Sequence, residues 1–380
     1  MPGHSSPFTA HRADLDALAG DNRRRTLVPR TGLDFASNDY LGLAGSATLR
    51  DALAAGIAQG LPAGSGGSRL LRGNHEEHEA LEAHAARHYG HEAALFFPTG
   101  FAANAALFAT LPQRGDLIVH DELIHASAHD GMKLGRADRT PAAHNDPQAF
   151  DDAIVRWRTA GGTGTPWVAV ESLYSMDGDR APLADLAAVA DRHDAVLVVD
   201  EAHATGVYGP AAAGLAHGLA RRDNLITLHT CGKALGCEGA LLCAPRIVRD
   251  FIVNRGRPFI FSTAPSPLMA WLVRQSLEIV ATEPERAARL HSLVRHTEAR
   301  LALLGIAASG SQILPVVIGD NARTMRIAGA LQEAGFDVRG IRPPTVPQGS
   351  ARLRIAITLN VGEAEIDAMT EALAAAMAAA

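Results

Sequence analysis

AVLVVDEAH, residues 195–203, is a run of five apolar residues closed by Asp200, with His203 three positions on. A short β-branched run bounded by polar residues reads as a fully buried strand, and such strands belong to parallel sheets covered on both faces. The same pattern recurs on both sides. AALFFPTG (93–100), DLIVHD (116–121), PWVAVES (166–172), NLITLHT (224–230) and GALLCAP (239–245) read as strands. FAANAALFATL (101–111), AFDDAIVRWR (149–158) and PLADLAAVADRH (182–193) read as the helices between them. This alternation predicts an α/β fold with a mostly parallel sheet between helices. In such folds the ligand lies beyond the carboxyl ends of the strands. Polar residues gather there: Thr99-Gly100, His125, Ser175, Asp200 with His203, and Thr230 with Lys233.

The flanks are simpler. Residues 1–30 read as a helix and a connection ending in Arg23-Arg24-Arg25, and LDFASNDYLGLA (33–44) as a short strand and turn. Residues 60–74 form a glycine/serine-rich loop, and Glu76–Tyr89 a polar helix closed by Gly90. Residues 265–305 are helical, and the remainder alternates strand and helix as a smaller α/β domain. The expected organisation is an N-terminal helix or arm over 1–45, a large domain over 46–270 and a small C-terminal domain over 271–380. A length of 380 residues suits two to three domains at ~150 residues each.

Composition narrows the function classes. Net charge is -6, without the basic excess of a nucleic-acid binder. The uncharged run Ala93–Gln113 contains Pro98, Gly100 and Pro112, which suits strand–turn–helix and no membrane span. No secretory leader is read in the first residues. Three cysteines, Cys231, Cys237 and Cys243, make no disulfide framework and fit a reducing cytoplasm. His84 and His88 stand four apart and offer a possible zinc pair, but a solvated helix in a histidine-rich chain is the favoured reading, with no metal site expected.

Chemistry enters with lysine. Only two of the 35 basic residues are lysines, Lys133 and Lys233. Arginine stays protonated, whereas a desolvated lysine becomes a free amine and forms a Schiff base with a carbonyl. Lys233 follows a strand end in a glycine-flanked turn, TLHTCGKALG (227–236), while Lys133 follows none and reads as a surface residue. Asp200 alone reads equally as a cap, an ion-pair member or a functional acid. Together, the two fit an aldehyde cofactor with a pyridinium nitrogen, which needs both an amine and a carboxylate.

The ordered strings FASNDYLGL (35–43), GSGGSRLLRGN (64–74), PTGFAAN (98–104), LIHAS (123–127), YSMDGDRAPL (174–183), VVDEAHATG (198–206), T-x-x-KALG (230–236) and IRPPTVPQGSARLRI (341–355) resemble the α-oxoamine synthases. These are fold-type-I pyridoxal 5'-phosphate (PLP) enzymes, and the strings span nearly the whole chain. The resemblance implies that Lys233 holds PLP, that Asp200 pairs with its ring nitrogen, and that His203 bonds its ring hydroxyl. It also implies that His125 stacks on the ring and helps at the substrate carbonyl, and that Gly100 and Phe101 present backbone amides to the phosphate. Thr230 and Ser175 would add hydroxyls, and Ser262 and Thr263 would reach the phosphate of a partner subunit in a homodimer. Arg342, Asn38 and Arg354 are implied for the substrate carboxylate, Arg23 for the acyl donor, and Thr345 for substrate contact.

The implied reaction is a decarboxylating condensation of an amino acid with an acyl thioester. The IRPPTVP string fits the biotin-forming branch, which uses L-alanine and a pimeloyl thioester of coenzyme A or a carrier protein. Siblings using glycine or serine are the nearest alternatives, followed by a non-catalytic PLP-fold protein and a histidine-rich metal binder. Ile124, His229 and Cys231 depart from the family's usual pattern around His125 and Lys233.

Overall fold

A computed structural model describes residues 6–380; the first five residues of the expected N-terminal arm lie outside the described residues. The elements in chain order are α1 (Thr9–Gly20), β1 (Leu33–Asp34), α2 (Ala47–Ala58), α3 (Glu76–Tyr89), β2 (Ala93–Phe97), α4 (Gly100–Thr110), β3 (Leu117–Asp121), α5 (Ala126–Leu134), β4 (Asp138–Ala142), α6 (Pro147–Thr159), β5 (Pro166–Glu171), α7 (Leu183–Arg192), β6 (Val196–Asp200), β7 (Leu225–Thr230) and β8 (Ala240–Ala244). They continue with α8 (Arg246–Arg255), α9 (Arg257–Ile260), α10 (Pro267–Thr282), α11 (Pro284–Ala302), β9 (Ile313–Gly319), α12 (Asn321–Glu333), β10 (Phe336–Asp337), β11 (Arg339–Ile341), β12 (Ala351–Ala356) and α13 (Glu363–Ala379).

The chain divides into two units. One comprises residues 38–175 and 179–289; the other comprises 1–37, 176–178 and 290–380. These boundaries lie at 37/38 and 289/290, where the sequence suggested 45/46 and 270/271. The reason for the second shift is that α10 packs on α2 and α3, so it belongs with the larger unit.

The larger unit is built on a seven-stranded sheet of order β2-β8-β7-β6-β5-β3-β4. All neighbours are parallel except β8, which is antiparallel to both β2 and β7. Successive residues alternate between two cores, as the pleat requires. Ile118, Val198, Ile226 and Leu228 pack with Phe108, Met132 and Phe259 on one face. Leu117, Val119, Val168, Leu197 and Val199 pack with Phe150, Ile154 and Leu186 on the other. Burial on both faces explains why these strands are continuously apolar in sequence.

Helix starts follow local chemistry. Thr99 caps α4 through Ala102 N at 3.0 Å, Asp146 caps α6 ahead of Pro147, and Gly90 ends α3 at a φ of 74°. Five elements were not read from sequence: α2, α5, β4, α8 and α9. α5 is polar, and β4 is an exposed edge strand, so neither carries an apolar signal. The stretch 265–305 is two helices, broken at Pro284, and Arg69–Gly73 forms a wide π-helical turn inside the expected loop.

The smaller unit holds an antiparallel sheet, β11-β12-β9, and a short parallel pair of β1 with β10. α12 and α13 pack together in this unit. Among the described residues no helix is long and apolar enough to cross a membrane.

Candidate active site

In the larger unit a cavity of about 470 Å³ opens at the carboxyl ends of the parallel strands. Strands β2, β3, β5, β6 and β7 deliver residues to it from their last position or the loop that follows. β2 supplies Thr99, Gly100 and Phe101; β3 leads to His125 and Ser127; β5 ends in Glu171. β6 gives Asp200 and His203, β7 gives Thr230 and Lys233, and Asn38 completes the wall. Of the residues named from sequence, the structure thus unites Asn38, Gly100, Phe101, His125, Asp200, His203, Thr230 and Lys233 around one cavity. Ser175, Ser262 and Thr263 are in the same unit but do not line it.

Asp200 is the best-fixed group. It is 8% exposed, accepts Asn104 Nδ2 on Oδ2 at 3.0 Å, and accepts the Ala202 amide on Oδ1 at 3.0 Å. Asn104 also donates to Ser127 Oγ at 2.9 Å, and Ser127 Oγ lies 2.8 Å from His125 Nδ1. A hydrogen-bonded chain therefore links Asp200 to His125. The Ser127 amide donates to the same Nδ1 at 3.2 Å, which makes that nitrogen an acceptor and places the ring proton on Nε2. Burial lowers the His125 pKa, the Asp200 charge opposes that, and Lys233 adds to it, so the ring is neutral at pH ~7.

Glu171 faces Asp200 across the β5–β6 pairing. Burial first, then the Asp200 charge, push its carboxyl well above the ordinary range, which favours its protonated form. Its Oε1 is buried without a hydrogen-bond partner. Glu201 points away: its carboxylate accepts Ser172 Oγ at 2.8 Å and the Leu215 amide at 3.1 Å. Tyr40, fully buried, bonds His203 Nδ1 at 2.6 Å and Asn38 Oδ1 at 3.0 Å.

Lys233 sits in the β7–β8 hairpin. Its loop is closed by Cys231 N to Gly239 O at 2.8 Å, Cys237 N to Cys231 O at 2.9 Å, and Gly236 N to Lys233 O at 2.9 Å. Lys133 is exposed on α5 and pairs with Asp130 at 3.0 Å. Gly100 opens α4 beside Thr230: a Cβ there would lie 2.7 Å from Thr230 Cγ2. That close approach keeps the helix start bare for an anion.

The other expected substrate residues lie in the smaller unit. Arg23 Nε donates to Pro343 O at 3.1 Å, Arg342 Nη1 to Asn22 O at 2.6 Å, and Arg25 Nη2 to Thr345 Oγ1 at 2.9 Å. Arg23, Arg25, Arg342 and Thr345 therefore form one cationic cluster. Burial, then the Arg25 charge, lower the Arg342 pKa. Arg354 lies on β12, opposite Arg339 of β11.

The three departures are buried and do not line the cavity. Ile124 and Cys231 are buried, Ile124 within the core. His229 stacks on Tyr89 with ring centroids 3.5 Å apart, and bonds Thr205 and Thr227 at 2.9 Å each. Among the described residues no group of three or more His, Cys, Asp or Glu could hold a metal ion.

Sequence reasoning missed Asn104, Ser127, Tyr40 and Glu171, and named Arg25 only as part of the Arg23-Arg24-Arg25 cluster. Signals existed for two. Asn104 is the polar residue of an otherwise apolar helix, one turn after Gly100, and Glu171 closes WVAVE as Asp200 closes VLVVD.

Residues 30–373 match the model of the aminotransferase class I and II family. The chain belongs to that family. It is 42% identical to the 8-amino-7-oxononanoate synthase of Anaeromyxobacter dehalogenans strain 2CP-1, over 96% of this chain and 94% of that one. It is 41% identical to that of Chromobacterium violaceum, over 95% and 92%. Among solved structures, Sphingomonas wittichii serine palmitoyltransferase superposes with a TM-score of 0.88 at 26% identity, over 99% of this chain and 98% of that one. The 8-amino-7-oxononanoate synthase of Francisella tularensis gives 0.76 at 25% identity, over 90% and 97%. A further serine palmitoyltransferase of this similarity, TM-score 0.88 at 26% identity over 99% of both chains, was solved with PLP. The expected fold-type-I architecture and its PLP cofactor are thereby borne out.

The cavity suits that cofactor. An amine, a buried carboxylate with fixed donors and a bare helix start surround a volume typical of small-molecule sites, ~300–1,000 Å³.

Proposed function

We propose that the chain condenses L-alanine with a pimeloyl thioester, releasing CO2, the thiol and 8-amino-7-oxononanoate in biotin synthesis. The observation that carries the reading is Lys233 and Asp200 in one cavity, in a chain about 42% identical to enzymes of that name. Bound PLP supplies an aldehyde and a ring that accepts an electron pair from the amino acid's α-carbon.

The protein's residues do the rest. Lys233 supplies the amine that anchors the aldehyde; displaced by alanine, Nζ takes the α-proton. Asp200 would face the ring nitrogen, held in place by Asn104 and the Ala202 amide. The raised pKa of Glu171 favours its protonated form beside Asp200. His125 presents its Nε2–H as a donor for the thioester carbonyl oxygen. Backbone amides at Gly100 and Phe101 hold the phosphate, where a helix dipole favours an anion. The Arg23–Arg25–Arg342 cluster supplies cations for the substrate carboxylate and the anionic acyl donor. Ser262 and Thr263 serve the cofactor across the subunit interface of a homodimer. The donor is a thioester of coenzyme A or of an acyl carrier protein. All three cysteines are free thiols, which accords with a reducing cytoplasm.

The test is a spectrum followed by turnover. PLP should give a band near ~420 nm that shifts with L-alanine. Pimeloyl thioester with alanine should release thiol faster than glycine or serine with any acyl donor. No band overturns the PLP reading; a preference for glycine or serine moves the chain to a sibling activity.

A further inference from the structure

His144 follows the end of β4 and ties together the loops after β3 and β5, three strands adjacent in the sheet order β5-β3-β4. Its Nδ1 lies 2.8 Å from Asp121 Oδ1 and its Nε2 2.8 Å from Asp179 Oδ2. A carboxylate only accepts, so both ring nitrogens donate and the ring is an imidazolium. Burial opposes that charge; the two carboxylates outweigh it and raise His144 to about 10. Asp121 is fully buried at the last position of β3 and accepts two amides besides the imidazolium, Leu123 N on Oδ1 at 2.8 Å and Asn145 N on Oδ2 at 2.9 Å. Asp179 Oδ2 also accepts Asn145 Nδ2 at 2.6 Å, and the Asp179 carbonyl accepts the Tyr174 amide at 3.0 Å.

The same group holds the turn that leads to His125. The Glu122 amide donates to Ala142 O at 3.0 Å, the His144 amide to Glu122 Oε1 at 3.1 Å, Leu123 N to the Asp121 carboxylate, and Ile124 N to Asp121 O at 3.2 Å. The next residue is His125, which caps α5 through the Ser127 amide and lines the cavity. Asp121, His144 and Asp179 do not line it. We propose that His144 is a positioning residue: clamped between Asp121 and Asp179, it fixes the turn after β3 and, through that turn, the His125 ring at the cavity. For its effect on turnover this rests on the condensation proposed above. Without the cation the buried Asp121 carboxylate is short of a donor, so the turn relaxes and the His125 ring loses its fixed contact with Ser127.

Two variants, each read in two ways, test this. His144→Gln offers one nitrogen where the imidazolium offers two. Asp179→Asn removes one carboxylate charge from a half-buried residue, and reads the same effect should His144→Gln not fold. In the PLP-free protein the ¹⁵N signals of the His125 ring, assigned by their loss in His125→Ala, should show the Nε2–H tautomer in wild type and a mixture of tautomers in both variants. Unchanged ring signals would overturn the proposal. With PLP, L-alanine and pimeloyl-CoA, either variant should lower kcat about tenfold while KM for alanine moves by less than about twofold. Added to His125→Ala, the same change should cost less than about twofold, because the residue through which it acts is gone. A tenfold loss that persists without His125 would overturn the proposal, since His144 would then act on the fold at large. A wild-type protein that turns over no alanine with pimeloyl-CoA would overturn the condensation reading instead, and the ring signals would still decide on His144.

Discussion

Replacing His88 and His91 should make the protein measurably less sensitive to acid. Both lie beside the Tyr89–His229 stack, His88 edge-on to Tyr89 at 4.7 Å and His91 bonded to Thr227 at 3.1 Å. Burial, then neighbouring histidines, push both down to about 4, and His229 well below its ordinary value. In the unfolded chain each titrates near ~6.5. A base that binds its proton more weakly when folded loses stability as pH falls, so the window runs from ~6.5 down to about 4. At ~1.36 kcal/mol per unit, each histidine costs about 2 kcal/mol by pH ~5. The pair costs about 4 kcal/mol, a large share of a typical ~5–15 kcal/mol. Glu201 acts oppositely: burial raises it to about 7, so its folded form gains a proton over the same window. The measurement is therefore a difference. Urea midpoints followed by tryptophan fluorescence from pH ~7.5 to ~5 should fall less in His88→Gln/His91→Gln than in wild type, by about 4 kcal/mol in stability. Parallel curves would refute the reasoning.

Three further outcomes are expected. Lys233→Ala should abolish the visible band and turnover, while Lys133→Arg should be silent; equal loss in both would remove Lys233 from its role. Gly100→Ala drives a Cβ to 2.7 Å from Thr230 and should weaken PLP binding about tenfold by fluorescence titration, whereas unchanged affinity would place the phosphate elsewhere. Asn104→Ala strips a donor from the Asp200 carboxylate and should cost about 1.5–3 kcal/mol in a denaturant melt, with no loss meaning that the bond contributes nothing.

Much of the larger unit was legible because its strands are buried on both faces. AALFF, LIVHD and VLVVD each declare a strand, and the acid or helix start that follows each marks the cavity rim. β4 was invisible because it buries no full strand face, and α5 because its buried Ala128 and Met132 stand among polar and charged residues. Asp200 and Lys233 were found because strand ends and a rare lysine are local signals. Tyr40 was missed because its partner is distant in sequence, 163 residues for the Tyr40–His203 bond, and Ser127 because its link to Asp200 runs through Asn104 on another helix. His229 drew attention as a departure, yet two of its neighbours, the stacked Tyr89 and Thr205, come from other elements and could not be read locally.

The antiparallel β8 has a consequence for how the chain reaches this state. β2 is an edge strand whose sheet partner is β8, with Ala93 opposite Ala244, about 150 residues downstream. Strands β3 to β7 can assemble in order as they are synthesised, but β2 has no place in the sheet until β8 arrives. The helix start at Gly100 follows β2, and Lys233 stands in the hairpin that β8 closes. Pairings this far apart in sequence form slowly, so the anion end of the cavity and its lysine come together late. A ribosome-bound chain ending before Gly239 has most of its sheet and no cofactor site, which leaves the nascent protein a folded scaffold that cannot yet hold PLP.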